Sequence, residues 1–220
     1  MAIAVEYMEE HEQHDLLVPS TENRSGFRPL FSAKYFRMTF FSSIFWVCCV
    51  TPYFAIGTFA PTVFEHLGIE DGLTGGLALN VVAWFATIFT VFTVERLGSR
   101  SMGMWSLYVS ALALCLIGFM PNASPALAVS AVLVFSFAIA IGNTLTSIFG
   151  PEVFPTELRG TGVGVGAAVS RVGAATGTFV LPAALASLGT SGTMLIGGGI
   201  CLFGAIITQW LAPENTGKIL

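Results

Sequence analysis

Six apolar stretches, each about 20 residues long, restrict this chain of 220 residues to a membrane-spanning fold. A helix needs about 20 apolar residues to cross a hydrocarbon core about 30 Å thick. None of the stretches shows the sustained apolar–polar alternation of a membrane β-strand, and backbone groups in lipid must bond internally. The sequence therefore predicts an all-α, polytopic membrane protein, with spans near residues 37–60, 73–93, 102–120, 126–149, 161–185 and 193–211.

Composition supports this class and excludes several others. Only 10% of the residues are charged and 54% are hydrophobic, whereas soluble domains carry about 25% charged residues. Residues 1–36 are polar and are predicted to be a cytoplasmic linker or tail, as are residues 212–220. The sequence contains no basic run for nucleic acid, no cysteine spacing for a metal site and no nucleophile–base pair. We therefore expect no nucleic-acid partner, no metal or cofactor, and no enzymatic activity.

Lysine and arginine residues in the connections fall on one side of the predicted bundle. Four lie in the segment that ends at Arg37, two are Arg96 and Arg100 after the second span, and the others are Arg159 and Lys218. The remaining three connections contain neither residue type. Because short loops rich in Lys and Arg stay in the cytoplasm, we expect both termini to be cytoplasmic and the protein to lie in the plasma (inner) membrane.

Arg171 lies in the middle of the fifth stretch, about 16 Å along a helix axis from Gly160. A charge at this depth is costly and usually has a function. No Asp, Glu or His lies within the six predicted spans. The partner of Arg171 must then be an anion, an aromatic ring or a set of carbonyls, and contact with a solute and a structural or gating role both remain open. Any proton-coupling group of a symporter would lie outside this chain.

Three further polar side chains lie at membrane depth: Tyr53 in the first span, Asn80 in the second and Asn143 in the fourth. Polar groups at such positions face the bundle interior or a wet cavity rather than lipid. We predict that they line a solute pathway together with Arg171. For the two asparagines, hydrogen bonding between helices, at about 0.6 kcal/mol per contact, is an equally weighted alternative.

Glycine recurs at every second position where the fifth span begins, at Gly160, Gly162, Gly164 and Gly166. On a helix these residues form two faces, one with Gly160 and Gly164 and the other with Gly162 and Gly166. Small residues spaced in this way let a neighbouring helix approach closely. The pattern predicts helix packing, either static or with sliding and bending.

Charged residues cluster in two connections on the predicted cytoplasmic side. Glu95, Arg96 and Arg100 lie in one, and Glu152 and Arg159 lie in the other. Ion pairs between helix ends can hold one state of a transporter closed, and exposed pairs contribute only about 0–1 kcal/mol each. We therefore predict a reversible cytoplasmic latch, in addition to the role of these charges in setting topology.

The same two connections resemble those of the major facilitator superfamily. Segment 95–100, Glu-Arg-Leu-Gly-Ser-Arg, resembles the signature Asp-Arg-x-Gly-Arg-Arg between the second and third helices of each half, with departures at Glu95 and Ser99. Segment 151–160, Pro-Glu-Val-Phe-Pro-Thr-Glu-Leu-Arg-Gly, is more specific. It resembles the loop between helices ten and eleven of sugar porters and of organic-ion or aromatic-acid transporters.

Two further segments extend this resemblance. Residues 213–218, Pro-Glu-Asn-Thr-Gly-Lys, resemble the Pro-Glu-Thr-Lys-Gly tail of the same transporters. Residues 170–173, Ser-Arg-Val-Gly, followed by Pro182, are similar to helix eleven of the organic-ion and aromatic-acid branch. That arginine is associated with anionic substrates in the branch, so the resemblance implies the same role for Arg171.

The resemblance covers the chain from about Phe27 onward and maps onto the carboxyl-terminal six helices of the superfamily. It implies one half of a bundle in which two halves enclose the solute and alternate its access. We expect a half-length or truncated secondary transporter in a lipid bilayer, paired with a second six-helix half of the same or another chain. The favoured solute is a small organic anion, such as an aromatic or dicarboxylic acid. A sugar transporter and a non-transporting membrane partner or regulator are the alternatives.

Overall fold

The computed structural model describes residues 28–58, 72–120 and 124–212. The described residues contain a 3₁₀ turn, Arg28–Phe31, and five α-helices: α1 Ala33–Thr58, α2 Gly72–Leu97, α3 Ser99–Phe119, α4 Pro125–Val153 and α5 Arg159–Leu211. All five helices are long and apolar enough to cross a membrane. Most of the predicted amino-terminal linker, and the tail segment 213–218, lie outside the described residues.

Two helices continue past the ends predicted from the apolar pattern. Helix α2 ends at Leu97, so that Glu95 and Arg96 lie in its last turn rather than in a loop. Helix α4 ends at Val153, so that Glu152 also lies in a helical turn. The apolar pattern reports where lipid begins, whereas backbone hydrogen bonding carries a helix on into the polar region.

The fifth and sixth predicted spans lie within one helical run of 53 residues, α5. At 1.5 Å per residue such a run is about 80 Å long, more than twice the thickness of a hydrocarbon core. Its backbone leaves the helical conformation at Gly189, where φ is 68° and ψ is −177°. We refer to residues 159–188 as α5a and to residues 190–211 as α5b. In the part of the chain that the structure describes, five helices are therefore observed instead of six.

The two arms of α5 lie against each other. Thr176 and Leu181 of α5a line a small cavity of about 170 Å³ together with Met194 and Gly197 of α5b. Residues on opposite sides of Gly189 are close only if the chain reverses direction there. A backbone with φ near +68° is strained for any residue with a Cβ, so glycine is the residue that permits this reversal.

Helix α1 is at the centre of the packing. It contacts α5 and α4, while α3 also contacts α5 and α4 and α2 packs mainly on α4. The core is aromatic where α1 meets α4: the ring of Phe149 lies edge-on to Phe41 and Phe45, with centroids 5.4 and 4.9 Å away. Helix α2 has the least buried apolar surface of the five, which leaves one side of the bundle open.

Glycine determines how closely α5 approaches α1. A Cβ built on Gly204 would lie 2.5 Å from the Cβ of Cys48, and a Cβ on Gly173 would lie 2.5 Å from Oγ1 of Thr51. Neither separation is possible for real atoms, so these two backbones meet only because the side chains are absent. Close backbone contact provides the dispersion attraction that associates helices in lipid.

The four glycines at the start of α5a divide into a packed and an open pair. A Cβ on Gly162 would lie 2.6 Å from the ring of Phe154, and one on Gly166 would lie 3.2 Å from Oγ of Ser42. A Cβ on Gly160 or Gly164 would have no described atom within 4 Å. One glycine face therefore contacts the bundle, and the other faces away from the described residues.

We expect Gly204→Ala to lower the free energy of unfolding by about 1–3 kcal/mol, as overpacking does in a close-packed core. The matched control is Gly199→Ala in the same arm, where a Cβ has open space around it. The measurement is thermal unfolding of the detergent-solubilised protein. Equal melting temperatures for the two variants would contradict the assigned α1–α5b contact.

We expect Gly189→Ala to destabilise the protein by about 1–3 kcal/mol through backbone strain alone. The space around Gly189 is open, so no steric clash contributes. Alanine normally stabilises a helix relative to glycine, and Gly199→Ala again provides the comparison. If Gly189→Ala raised the melting temperature as a helical substitution does, α5 would be continuous through this residue.

Candidate functional site

A cavity of about 450 Å³ lies between α1, α2 and α4, near the end of α1 at Thr58. Tyr53 of α1, Asn80 of α2 and Ser136 of α4 provide polar groups in its lining, and Phe54 and Phe135 provide aromatic walls. This volume is within the range of about 300–1,000 Å³ that is typical of small-molecule sites. Two of the predicted site residues, Tyr53 and Asn80, are thus brought to the same cavity.

The polar groups of this cavity are partly engaged with backbone. Nδ2 of Asn80 donates a hydrogen bond to the carbonyl oxygen of Gly76, at 2.9 Å. Oγ of Ser136 donates to the carbonyl oxygen of Leu79, at 3.0 Å, and so joins α4 to α2. These bonds use N–H and O–H groups that could otherwise donate to a bound solute. The lining therefore offers a solute fewer hydrogen-bond donors than the number of its polar side chains indicates.

Arg171 lies on the exposed side of α5a, beside the cavity rather than in its lining. Its guanidinium carbon lies over the ring of Phe54, 5.9 Å from the ring centroid. A cation within about 6 Å of an aromatic centroid is attracted by the ring quadrupole. An aromatic ring is one of the three kinds of partner considered for Arg171 from the sequence.

Carboxylates lie far from this cation along the helices. The five helices contain two acidic residues, Glu95 and Glu152, and both lie in the last turns of α2 and α4. Phe54 shares its cavity with residues 76–83 of α2 and 135–139 of α4, and Glu95 and Glu152 follow these segments by 12 and 13 residues, or about 18–20 Å along each helix axis. Arg171 therefore has no carboxylate from these helices at its own level.

Phe54 borders a second space besides the cavity. An open groove runs along α5a and is lined by Phe54, Thr58, Ala175, Phe179 and Pro182, among others. Phe54 and Thr58 line both spaces. The ring on which Arg171 rests therefore forms part of the wall between the cavity and the groove.

Asn143 is placed apart from these groups. It is not among the residues that line the cavity, although it lies one turn beyond Ile139, which does. Its Nδ2 atom is buried and has no hydrogen-bond partner among the described residues. The structure thus gathers Tyr53, Asn80 and, through Phe54, Arg171, whereas Asn143 lies deeper in α4.

The predicted latch residues lie at the opposite end of the bundle. Glu95 and Arg96 are exposed in the last turn of α2, and Arg159 begins α5 with a buried Nε that has no hydrogen-bond partner in the described part of the chain. The side chain of Glu152 lies outside the described residues. Arg100 at the start of α3 donates from Nη2 to the carbonyl oxygen of Gln209, at 2.8 Å.

Arg100 is one of three groups that meet the last turn of α5b. Nη2 of Arg37 donates to the carbonyl oxygen of Trp210, at 3.1 Å, and the hydroxyl of Tyr108 donates to Oε1 of Gln209, at 2.6 Å. The last carbonyls of a helix lack partners within the helix and carry partial negative charge. Two arginines therefore cap α5b and tie it to α1 and α3.

Sequence reasoning missed Phe54 and Ser136 as site residues. Phe54 follows Tyr53 and Pro52 in a span, so its position next to a predicted lining residue was visible. Its contact with Arg171 was not visible, because that contact depends on how α1 and α5a are aligned. Ser136 gives no signal of its own, since serines that bond only within their own helix are common in this chain.

Long apolar helices around a half-open cavity are typical of integral membrane proteins, transporters among them. The sequence profile of the family described as "Sugar (and other) transporter" matches residues 4–220. The chain belongs to this family, within the major facilitator superfamily that its two connecting segments predicted.

Several curated relatives share most of this chain. It is 35% identical over 195 residues to the inner membrane metabolite transport protein YgcS of Escherichia coli, covering 89% of this chain and 44% of that protein. It is 34% identical over 200 residues to the putative metabolite transport protein YaaU of the same bacterium, covering 90% and 45%. A probable inorganic phosphate transporter 1-6 of Arabidopsis thaliana is 27% identical over 201 residues, with 86% and 36% covered. The chain spans less than half the length of these relatives.

We expect Arg100→Ala to loosen the end of α5b, because Gln209 loses a charge-assisted hydrogen bond to its carbonyl. Such a bond contributes about 1 kcal/mol at an exposed position. Hydrogen–deuterium exchange of the amides of residues 209–212 should accelerate, while exchange in α4 stays constant. Arg96→Ala, an exposed arginine four residues earlier, serves as the control. Unchanged exchange in Arg100→Ala would contradict the capping role.

Proposed function

We propose that this chain forms one six-span half of a secondary transporter that moves a small organic anion by alternating access. The observation that carries the proposal is the placement of Arg171. It is a cation on the exposed side of a membrane helix, against an aromatic ring at the border of a cavity, with no carboxylate from the helices at its level. A charge in that setting favours an anionic partner from outside the five helices.

The six spans of this proposal are α1 to α4 and the two arms of α5. Each arm, 159–188 and 190–211, has more than the roughly 20 residues that a crossing needs. The reversal at Gly189 and the cavity shared by both arms support two crossings rather than one. An even number of spans is consistent with both termini on the cytoplasmic side, the side on which eight of the nine basic residues are predicted to lie.

The lining of the cavity favours an anion over a polyol. A sugar presents many hydroxyl groups, each of which needs a partner when it leaves water. In the cavity, the amide nitrogen of Asn80 and the hydroxyl of Ser136 already donate to backbone carbonyls. The aromatic and aliphatic walls suit the apolar body of an organic acid, and Arg171 suits its carboxylate.

A sugar remains the second candidate, because the profile that matches this chain is described for sugar and other transporters. Tyr53 and Asn80 would then provide hydrogen bonds to sugar hydroxyls. A phosphate is a third possibility, given the relative named as a phosphate transporter. A non-transporting partner or regulator derived from a transporter half is the alternative that involves no solute.

The exposed side of α5a supports a second half as partner. Along one side of α5a, exposed residues follow one another at helical spacing: Gly160, Gly164, Ala168, Arg171 and Ala175. Small residues in such a row permit another helix to approach closely. The neighbouring row begins with Val169 and Val172, which are bulky, β-branched and exposed and therefore suit lipid.

The charged residues at the end of the bundle that contains Arg100 form the proposed cytoplasmic latch. Glu95, Arg96 and Arg159 lie at helix ends that would separate or approach when the halves rock. Arg100 combines this role with capping of α5b. The latch is thus proposed to act on a helix end that the structure already ties to α1 and α3.

We expect Arg171→Gln to lower organic-anion uptake at least tenfold, because a neutral amide cannot offset a carboxylate at this depth; tenfold is about 1.4 kcal/mol. Arg171→Lys keeps the charge but loses the planar fork of donors, so its uptake should be intermediate. The measurement is uptake of radiolabelled benzoate, succinate, phosphate and glucose by cells that express the complete native gene product, corrected for its abundance in the membrane.

The four solutes separate the candidates. Benzoate or succinate uptake that depends on Arg171 supports the proposal. Normal anion uptake by Arg171→Gln excludes the role of this residue, and uptake of glucose alone supports the sugar alternative. If none of the four solutes enters while the product is abundant in the membrane, a non-transporting role is favoured.

A further inference from the structure

Phe54 connects the cation to the cavity, yet it is not the kind of residue that binds an anion itself. Its ring is 38% exposed, lies under the guanidinium of Arg171, and lines both the cavity and the groove along α5a. The ring of Tyr53 lies edge-on to it, with centroids 5.6 Å apart. Phe54 is thus fixed on one side by a neighbouring aromatic and occupied on another by a cation.

The chemistry of a guanidinium permits two contacts at once. Its five N–H donors lie in its plane and form a fork that matches a carboxylate. Attraction to an aromatic ring uses the π-face of that ring and leaves donors at the edge of the guanidinium available. A ring beneath Arg171 therefore does not compete with an incoming carboxylate for the same donors.

Without such a ring, Arg171 would be poorly ordered. Its side chain has several rotatable bonds and is exposed, and no carboxylate of the helices lies at its level. Ordering a long side chain costs conformational entropy when a ligand binds. A resident aromatic partner removes part of that cost before the anion arrives.

We propose that Phe54 is a positioning residue, which holds the guanidinium of Arg171 at the border of the cavity and presents its fork of donors to the anion. This proposal rests on the proposed anion transport and adds a residue to it that the sequence analysis did not identify. The ring determines where the charge is held, whereas Arg171 provides the charge.

The first test compares a ring with an aliphatic side chain of similar bulk. In the complete native gene product, Phe54→Leu should raise the KM for benzoate or succinate, whichever the wild type takes up, about 3- to 10-fold, with Vmax nearly unchanged. Phe54→Tyr keeps the ring, so its KM should equal that of the wild type. Phe92→Leu is the matched control, because Phe92 is an exposed phenylalanine of α2 that borders neither the cavity nor the groove.

The second test follows Arg171 directly and does not depend on transport. Phenylglyoxal modifies guanidinium groups, and its reaction with Arg171 is quantified by mass spectrometry of the membrane-embedded full chain. Phe54→Leu should accelerate modification at least 2-fold, while Phe54→Tyr and Phe92→Leu should not. If the wild type takes up no solute, anion transport fails as the function while this test still reports on the contact.

Any of three results would contradict the positioning role. One is a KM and a modification rate for Phe54→Leu that equal those of Phe92→Leu. Another is a KM or a modification rate for Phe54→Tyr that differs from the wild-type value, since an aromatic ring would then not be sufficient to position Arg171. A fall in Vmax with an unchanged KM would also count against it, because that pattern indicates a general effect on the transport cycle.

Discussion

Close approach of helix backbones is the constraint on which this structure depends. Helices in lipid gain little from burying apolar side chains, since lipid is as apolar as they are, and association relies on dispersion contacts and small residues. Here Gly204 meets Cys48, and Gly173 meets Thr51, at distances that exclude even a methyl group. These contacts fix α1 against both arms of α5. The alignment of α1 with α5a in turn places Phe54 beneath Arg171.

The fold of α5 and its capping follow from the same requirement. Because two arms must pack side by side on α1 and α3, the chain reverses at Gly189 without a long loop. The far end of α5b then lies beside the first turns of α1 and α3, where Arg37 and Arg100 donate to its last carbonyls. These two basic residues thus satisfy backbone carbonyls that lipid cannot.

The sequence was sufficient to predict where most of the helices lie along the chain, but not which of their faces contact one another. Apolar length predicted where α1 to α4 run, because this property is local. The predicted spans 161–185 and 193–211 lie within one helix, α5, so six predicted spans correspond to five helices in the described residues. The two glycine pairs of α5a look alike in sequence, yet Gly162 packs on Phe154 while Gly160 contacts no described residue. Which pair packs depends on the rotation of the helix, a property of the whole bundle.

The same limit explains the outcome for the site. Tyr53 and Asn80 were predicted from polarity at membrane depth, and they line one cavity. Asn143 satisfies the same criterion and lies elsewhere, because depth does not determine direction. Phe54 does not meet this criterion, because an aromatic residue is common in a membrane span. Its importance is visible only once the structure shows the guanidinium of Arg171 over its ring. Polarity therefore finds residues that line a cavity more readily than the aromatic residues that pack beside a charge.

The exposed position of Arg171 is the strongest physical argument that the described helices do not act alone. If lipid covered that side of α5a, the guanidinium would lose its hydration at a cost that one aromatic ring does not offset. A water-filled cavity, a segment outside the described residues or another polypeptide would each avoid that cost. The row of small residues beside Arg171 is suited to a helix, and the cavity beside Phe54 is suited to a solute. In the proposed arrangement, one second half would account for both features, because it would cover the charge of Arg171 and enclose an anion beside Phe54.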